Sequence, residues 1–324
     1  MKSAIRARWR TLARATLALG VAGLVLTACG GSTAAPPSTS TSLPQASVPQ
    51  TPHIMVLMME NQSYSDIVGN PAAPYETTLS KEYETATDYY GIGHYSLDNY
   101  LALLTGRFYP WSTGDCTPGS GCQSSNSTLV NQLNGAHIPW SAYMGSMPSD
   151  CDTNNYQSGH KSYAVRHDPF VYFPHLVRAD CGRIRPASEM VSALNRSSPP
   201  DFVWLSPGVC QDGGGDEACA TIANGDSYLS KEIPAIQATR WYAGGGIIVL
   251  SYDEGNGQGA GEYLHGAGNH VFTIIISAAT KGMADDNTYV NHFGLLAGIE
   301  KAYGLSCLQE ACSPSNGLLT LTRG

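Results

Sequence analysis

Four apolar runs, each as long as a buried strand, limit the folds open to this chain. The first is Ile54–Met59, within HIMVLMME, and the others are DFVWLSP at 201–207, GIIVLSYDE at 246–254 and HVFTIIIS at 270–277. Continuous apolar runs, rather than alternating ones, are typical of strands covered on both faces, as in a parallel sheet. The chain is therefore expected to contain a buried, largely parallel sheet.

Helical patterns separate these runs. SLDNYLALLTG at 96–106 has apolar residues at helical spacing, with Ser96 as the expected N-cap and Gly106 as the stop, and similar patterns occupy 226–239 and 289–304. Strands alternating with helices predict an α/β fold with a largely parallel central sheet flanked by helices. Residues 107–200 are rich in Gly, Ser, Asn, Pro and Cys and are expected to form a loop-rich region held by disulfides.

The amino terminus has the composition of an export signal. Five basic residues precede an apolar stretch, Ala15–Thr27, that is shorter than the ~20 residues of a membrane span. LTAC at 26–29 resembles the lipobox of bacterial lipoproteins, which implies cleavage of a 1–28 signal peptide and attachment of lipid to Cys29. An ordinary signal peptide with an incidental cysteine is the alternative. The protein is thus expected outside the cytoplasm, as a cell-envelope lipoprotein or a secreted protein.

The rest of the chain is expected to form a tether and one domain. Residues 29–52, rich in Ser, Thr and Pro, cannot bury a core, and residues 53–324 are long enough for a single α/β domain. Without the leader, 13 basic residues face 26 acidic ones, so nucleic acid is not an expected partner. An even number of cysteines after Cys29 predicts disulfides. The simplest pairing joins sequence neighbours: Cys116 with Cys122, Cys151 with Cys181, Cys210 with Cys219, and Cys307 with Cys312.

Two of the predicted strands end in adjacent polar pairs. Glu60 and Asn61 follow HIMVLMM, and Asp253 and Glu254 follow IIVLSY. In open parallel sheets ligands bind beyond the carboxyl ends of the strands, where these side chains would converge. Carboxylate and amide oxygens suit Ca²⁺, Mg²⁺ or Mn²⁺ better than Zn²⁺, so a hard divalent cation is expected there. Alternatively, one pair caps a helix and the other is solvated.

Ser96 stands where a helix is expected to begin. A hydroxyl there lies in the positive field of the helix N-terminus, which also attracts phosphate. A serine that also touches a metal ion loses its proton more readily and can act as a nucleophile. The alternative is that serine is simply a favoured N-cap. The GGG at 213–215 is not followed by the lysine of a P-loop, and the sequence has no G-x-S-x-G motif of an α/β-hydrolase.

Six segments of the chain resemble, in order, those of the bacterial phosphoesterase family. They are MMENQSYSDIVG, HYSLDNYLALLTG, RHDPFVYF, PPDFVWLSPGVCQDGGGD, IIVLSYDEG and NHFGLLAGIEKAYGL. This family includes secreted acid phosphatases and phosphatidylcholine-type phospholipases C and belongs to the alkaline phosphatase superfamily. The resemblance covers roughly residues 53–308 and implies an alkaline-phosphatase-like fold.

The resemblance also implies roles for individual residues. The metal ligands of the family fall on Glu60, Asn61, Ser96, Asp253 and Glu254. Ser96 would also be the nucleophile, and His167 and His270 would contact the phosphate, although either histidine could instead be structural. The remaining substrate-binding positions fall on His94, Asn99, Asp212 and His292, of which His292 could equally be a core histidine.

Two departures from the family pattern affect the expected site. Tyr95 and Asp98 stand where prolines are usual, so the turn around Ser96 lacks their fixed φ angles. Asp212 is followed by glycines where a histidine is expected. A non-catalytic surface binding protein on the same fold is therefore an alternative.

Taken together, these features predict a metal-dependent phosphoric ester hydrolase that forms a phosphoseryl intermediate. Phosphomonoesters are the expected substrates, as in an acid phosphatase. The other enzymatic alternative is a phospholipase C that acts on phospholipid phosphodiesters. Expected partners are a phosphate-ester small molecule or a phospholipid head group, and a membrane reached through the lipid on Cys29.

Overall fold

The computed structural model describes residues 51–119, 121–256 and 268–321. The strands in these ranges are β1 His53–Met59, β2 Glu84–Thr85, β3 Tyr89–Tyr90, β4 Trp140–Met144, β5 Tyr156–Ser158, β6 Lys161–Tyr163, β7 Ile184–Pro186, β8 Phe202–Ser206, β9 Gly246–Tyr252, β10 Thr273–Ile276 and β11 Val290–Asn291. The α-helices are α1 Tyr64–Ile67, α2 Pro74–Glu82, α3 Ser96–Thr105, α4 Leu129–Gly135, α5 Pro174–Asp180, α6 Met190–Leu194, α7 Ile222–Gln237, α8 Arg240–Ala243 and α9 His292–Ala302. The predictions about the signal peptide, Cys29 and the tether up to residue 50 lie outside the described residues.

Seven strands form the central sheet, in the order β2-β10-β9-β1-β8-β4-β7. From β9 to β7 all neighbours are parallel, whereas β10 runs antiparallel to both β9 and β2. The central strand β1 is buried along its whole length, as expected of an apolar strand covered on both faces. The four apolar runs supply β1, β8, β9 and β10, which confirms the predicted α/β fold with a largely parallel sheet.

The longer helices pack in two groups. Helix α3 contacts α4 and α9, and α7 contacts α2, α6 and α8. All residues of α3 are buried, and the helix ends at Gly106, whose φ of 67° provides the predicted stop. Helix α3 begins at Ser96 itself, so the cap position falls one residue earlier than expected, on Tyr95. Within the described ranges, none of the helices combines the length and the apolar character needed to cross a membrane.

Residues 107–200 are more regular than the sequence predicts. They contribute β4 and β7 to one edge of the sheet and also form α4, α5 and α6. These strands are short, and β7 ends in a proline, so neither produces an apolar run long enough to stand out. Cys116–Cys122, Cys210–Cys219 and Cys307–Cys312 are disulfides as expected, whereas Cys151 and Cys181 are free thiols in contact with each other.

Candidate active site

Three neighbouring strands bring carboxylates together at their carboxyl ends. Strand β1 leads directly into Glu60, β9 into Asp253, and β8 through a short 3₁₀ turn into Asp212. Main-chain hydrogen bonds continue beyond the strands: the N–H of Asp253 donates to the carbonyl of Met59, and the N–H of Glu60 to that of Asp212, both at 3.0 Å. The backbone therefore fixes the relative positions of these acids.

Asn61 links the first two of these strand ends. Its backbone lies in the left-handed region, at φ 54°, which asparagine adopts more readily than most residues. Its N–H donates to Oδ1 of Asp253 (2.9 Å), and its side-chain amide donates to Oε2 of Glu60 (3.1 Å). Asn61 thus contacts two of the three carboxylates predicted to be metal ligands.

Ser96 lies against the carboxylate of Glu60. Its Oγ donates to Oε2 of Glu60 at 2.8 Å. One turn later in α3, the hydroxyl of Tyr100 donates to Oε1 of Glu60 at 2.6 Å. The sequence analysis missed Tyr100, although its i+4 spacing from Ser96 places both side chains on one face of the helix.

Negative charge is concentrated in this buried cluster. Glu60 and Asp253 have no solvent exposure, and Asp212 is almost as buried. Burial raises the pKa of Glu60 well above its ordinary value, and the charge of Asp253 adds to the effect. Burial followed by Glu254 raises the pKa of Asp253, and burial followed by Glu60 raises that of Asp212. Oδ2 of Asp253 and Oδ2 of Asp212 accept no hydrogen bond from the described residues.

This donor set fits a divalent cation. Buried carboxylates that are neither paired nor protonated are strongly unfavourable, and a bound cation would neutralise them. The all-oxygen set predicted from the sequence suits a hard ion such as Mg²⁺, Ca²⁺ or Mn²⁺. Among the described residues around Glu60, the acids and histidines whose ligand atoms all lie within 4.8 Å of one another are Glu60, His167 and Asp216, and this grouping does not include Asp253 or Glu254. Glu60 is common to both possible positions for a cation.

His167 is buried beside Glu60. Its Nε2 lies 3.2 Å from Oε1 of Glu60, and its Nδ1 lies 3.8 Å from Oδ2 of Asp212, yet neither nitrogen has hydrogen-bond geometry with a described group. The ring stacks on Tyr100, with 5.4 Å between ring centroids. Burial, followed by the charge of Arg166, lowers the pKa of His167 well below its ordinary value. Burial therefore disfavours the charged form of the imidazole beside Glu60.

Glu254 holds the loop that precedes Ser96. Its Oε2 accepts hydrogen bonds from the N–H of Tyr95 (3.0 Å) and the amide of Asn99 (3.4 Å), and it lies 3.3 Å from Nδ1 of His94. The side-chain oxygen of Asn99 accepts from the N–H of Ile92 at 2.7 Å. Asn99 is therefore engaged within the fold, whereas His94 is partly exposed.

The two late histidines occupy different surroundings. His292 is fully buried, its Nε2 donates to the carbonyl of Asp253 (2.5 Å), and its Nδ1 accepts from the hydroxyl of Tyr89 (2.9 Å). Burial lowers its pKa to about 4, so it is a neutral support behind Asp253. His270 stacks on Tyr64, with 4.7 Å between ring centroids. Among the described residues, no hydrogen bond or ring contact joins His270 to Glu60, Ser96 or Asp253.

A cleft of about 470 Å³ opens over the cluster. Its lining includes the predicted residues Asn61, His94, Ser96 and Glu254. Three charged residues that the sequence analysis missed also line it: Asp115, Arg166 and Asp216. The guanidinium of Arg166 pairs with Asp216 and has its Nε 3.8 Å from Oδ2 of Asp115. Asp115 in turn accepts the N–H of Leu97 at 3.0 Å, which ties Arg166 to the start of α3.

A glycine allows the loop after β8 to approach this cluster. A Cβ on Gly214 would lie 2.7 Å from Cβ of Glu60 and 3.2 Å from Oδ1 of Asp212. No side chain fits at that distance from Glu60. The glycines after Asp212, which depart from the family pattern, thus bring the backbone of the loop against the site.

The fold is an α/β fold similar to those of solved structures from the alkaline phosphatase superfamily. A protein of the alkaline phosphatase superfamily from Vibrio parahaemolyticus has a TM-score of 0.55 at 13% identity, over 82% of this chain and 70% of that chain. A lipoteichoic acid synthase from Listeria monocytogenes has a TM-score of 0.54 at 8% identity, over 82% and 76%. The sequence pattern of the phosphoesterase family matches residues 70–306. The chain belongs to the phosphoesterase family, which confirms the resemblance.

Three relatives are similar over most of this chain. A phosphate-repressible acid phosphatase from Penicillium chrysogenum is 25% identical over 74% of this chain and 57% of its own length. A probable acid phosphatase from Kluyveromyces lactis is 22% identical over 81% and 61%. This chain therefore spans less than two thirds of either fungal relative. A phosphatidylinositol-3-phosphatase from Mycobacterium tuberculosis is 24% identical over 94% of both chains.

Proposed function

We propose that this protein hydrolyses phosphoric monoesters, with Ser96 as the nucleophile. The observation that carries the proposal is the 2.8 Å hydrogen bond from Ser96 Oγ to Glu60 Oε2, at the start of α3 and at the open edge of the sheet. Membership of the phosphoesterase family supports the reaction class. All three relatives described above are named as phosphatases, which favours monoesters.

A divalent cation would be held by Glu60, Asn61, Asp253 and Glu254, with Ser96 completing the set. When bound, it would neutralise the carboxylates, lower the pKa of the Ser96 hydroxyl and draw the phosphate to the cleft. The orphaned Oδ2 of Asp253 supports this assignment. Elemental analysis of Asp253→Asn protein is expected to show less metal per chain than the wild type.

The residues of the cleft then bind the phosphate and transfer the proton of Ser96. Ser96 gives its proton to Glu60 and forms the Oγ–P bond as the ester P–O bond breaks, and the alcohol leaves with a proton from solvent. Water then attacks phosphorus, the Oγ–P bond breaks, and Ser96 takes its proton back from Glu60 as phosphate leaves with the protons of the water. Arg166 and the N-terminus of α3 are the groups suited to the phosphate oxygens. His167 stacks on Tyr100 and fills the space beside Glu60, with its Nε2 3.2 Å from Oε1 of that carboxylate, and we assign no step to His270.

Replacing the nucleophile tests this proposal. Ser96→Ala removes the atom that attacks phosphorus and is expected to reduce kcat on an aryl phosphate by about a thousandfold or more. Ser251→Ala is the matched control, because that buried serine on β9 hydrogen-bonds Thr273 and lies outside the cleft. Metal content is measured on all three proteins. Near wild-type turnover by Ser96→Ala would exclude Ser96 as the nucleophile.

A substrate panel with metal depletion separates the alternatives. The proposed phosphatase is expected to hydrolyse a monoester faster than a diester or phosphatidylcholine, to stop when a chelator removes the metal, and to recover on re-addition. A phospholipase C would prefer phosphatidylcholine. A non-catalytic binding protein would release no phosphate with any metal.

We also propose that the protein acts outside the cytoplasm, anchored by lipid on Cys29. The signal-like amino terminus supports export, and the three disulfides fit an oxidising compartment. The mass of the mature amino-terminal peptide, with or without acyl chains, decides between an anchored and a secreted form.

A further inference from the structure

A second cleft continues from the first one. It encloses about 320 Å³ and shares Arg166 and Asp216 with the cleft over Ser96. Tyr156 lines this second cleft and also a third one of about 580 Å³. The ion pair of Arg166 with Asp216 therefore stands between the cleft over Ser96 and a groove that runs to Tyr156. A volume of this size lies within the roughly 300–1,000 Å³ of small-molecule sites.

The polar groups of the second cleft are fixed in position. Gln157 and Ser162 pair across the β5–β6 hairpin, and both donate to the carboxylate of Glu217, at 3.3 and 2.6 Å. The Cys210–Cys219 disulfide closes the loop that carries Glu217. The side chain of Asn155 accepts the N–H of Val165 at 2.8 Å, next to Arg166. Each carboxylate oxygen of Glu217 retains capacity to accept another hydrogen bond.

Tyr156 is exposed at the far end of this cleft. It is 36% exposed, and it is one of the few large apolar side chains of the described residues that face solvent. An aromatic ring beside amides and a carboxylate suits a ligand that has both C–H faces and hydroxyl groups. Asp216 and Glu217 make the groove unsuitable for a second anionic group.

We propose that this groove is the subsite for the leaving alcohol and that it takes a neutral polyhydroxylated ring, such as a sugar or a cyclitol. The inference rests on the proposed function, because the ester phosphate must lie between Ser96 and Arg166. The ring then extends past the Arg166–Asp216 pair, its hydroxyls donate to Glu217, and Tyr156 packs on its face. An alkyl alcohol has no ring hydroxyls to donate to the remaining acceptor positions of Glu217, whereas a polyhydroxylated ring does.

The test compares two esters of primary alcohols, glucose 6-phosphate and ethyl phosphate. The wild type is expected to have the higher kcat/KM for glucose 6-phosphate. In Tyr156→Ala and Glu217→Gln, the ratio of kcat/KM for glucose 6-phosphate to that for ethyl phosphate is expected to fall about tenfold, the size of one lost ring contact or hydrogen bond. Met283→Ala, a change at another exposed apolar residue, is the control and should keep the wild-type ratio. An unchanged ratio in both variants would overturn the proposal.

Binding of free glucose, measured by calorimetry, separates failure of this inference from failure of the proposed function. Glucose is expected to bind the wild type and to bind Tyr156→Ala about tenfold more weakly. Turnover of phosphate esters without any glucose binding would exclude the polyol subsite while keeping the phosphatase. Glucose binding without turnover of any ester would keep the groove and exclude the proposed reaction.

Discussion

Tyr95 holds a backbone conformation that few residues adopt, immediately before the candidate nucleophile. Its φ is 135°, and its N–H donates to Glu254 while its carbonyl accepts from Asp98. A non-glycine residue in such a region stores about 1–3 kcal/mol of strain, which its surroundings must offset. The family proline at this position could not adopt this φ. In this chain the hydrogen bond from the N–H of Tyr95 to Glu254, rather than a proline ring, fixes the turn. The turn therefore depends on Glu254, which is also one of the proposed metal ligands.

Substitution of Tyr95 can test this strain. Tyr95→Gly is expected to be more stable than Tyr95→Ala by about 1 kcal/mol, because both remove the side chain but only glycine relieves the positive φ. Chemical denaturation of the two variants gives the comparison. Equal stabilities, or a more stable alanine variant, would show that Tyr95 is not strained.

The loop after β8 is the element that completes the candidate site. It carries Asp212 and Asp216, passes Gly214 against Glu60, and is closed by Cys210–Cys219. The N–H of Gly215 donates to the carbonyl of Ala220 inside this loop. Short loops of this kind have little apolar surface to hold them, so the covalent bridge is the main constraint on where Asp216 and its partner Arg166 lie.

Removing that bridge is expected to affect both stability and activity. A Cys210→Ser, Cys219→Ser double variant should lose about 2–4 kcal/mol of stability and also raise KM for a monoester. The matched control is Cys307→Ser with Cys312→Ser, a bridge of similar loop length that follows α9. It should lose comparable stability but keep its KM. If both double variants had the same KM as the wild type, the bridge would have no part in positioning the loop.

At the scale of the whole molecule, buried acids are not confined to the site. Glu76 on α2 has no solvent exposure, its Oε1 accepts from the hydroxyl of Tyr252 (2.9 Å), and its Oε2 has no partner among the described groups. Burial raises its pKa to about 8, the hydrogen bond from Tyr252 opposes this, and the nearby charge of Asp226 adds to it. The carboxyl group of Glu76 therefore keeps its proton to a higher pH in the folded protein than in the unfolded chain.

This linkage predicts that stability falls as pH rises. Because the folded pKa is the higher one, the stabilisation is complete below the unfolded pKa of about 4.5 and is lost progressively up to about pH 8. One pKa unit corresponds to about 1.4 kcal/mol, so the loss amounts to several kcal/mol. Glu76→Gln should flatten the dependence of unfolding free energy on pH from 5 to 8, whereas Glu82→Gln, exposed on the same helix, should not. An unchanged slope in Glu76→Gln would show that this carboxyl is not the source.

The fold was predictable from sequence where burial dominates. Long apolar runs located β1, β8, β9 and β10, but β4 and β7 are too short for a run and depend on pairing with β8 and with each other. The candidate site was predicted at the ends of those long strands, and the structure places Glu60 and Asp253 close together there. Arg166 and Asp216 could not be predicted, because only the path of two irregular segments brings them together. The pairing of Cys151 with Cys181 remains a prediction that the structure does not show.

The position of β1 at the centre of the sheet also affects when the proposed activity can arise. Its neighbours β8 and β9 begin at Phe202 and Gly246, far along the chain, and contacts between such distant segments form slowly. A growing polypeptide therefore carries Glu60 and Ser96 long before the carboxylates they require have been synthesised. Any fragment that stops short of Asp253 should be inert, and hydrolysis should begin only after the chain is nearly complete and folded.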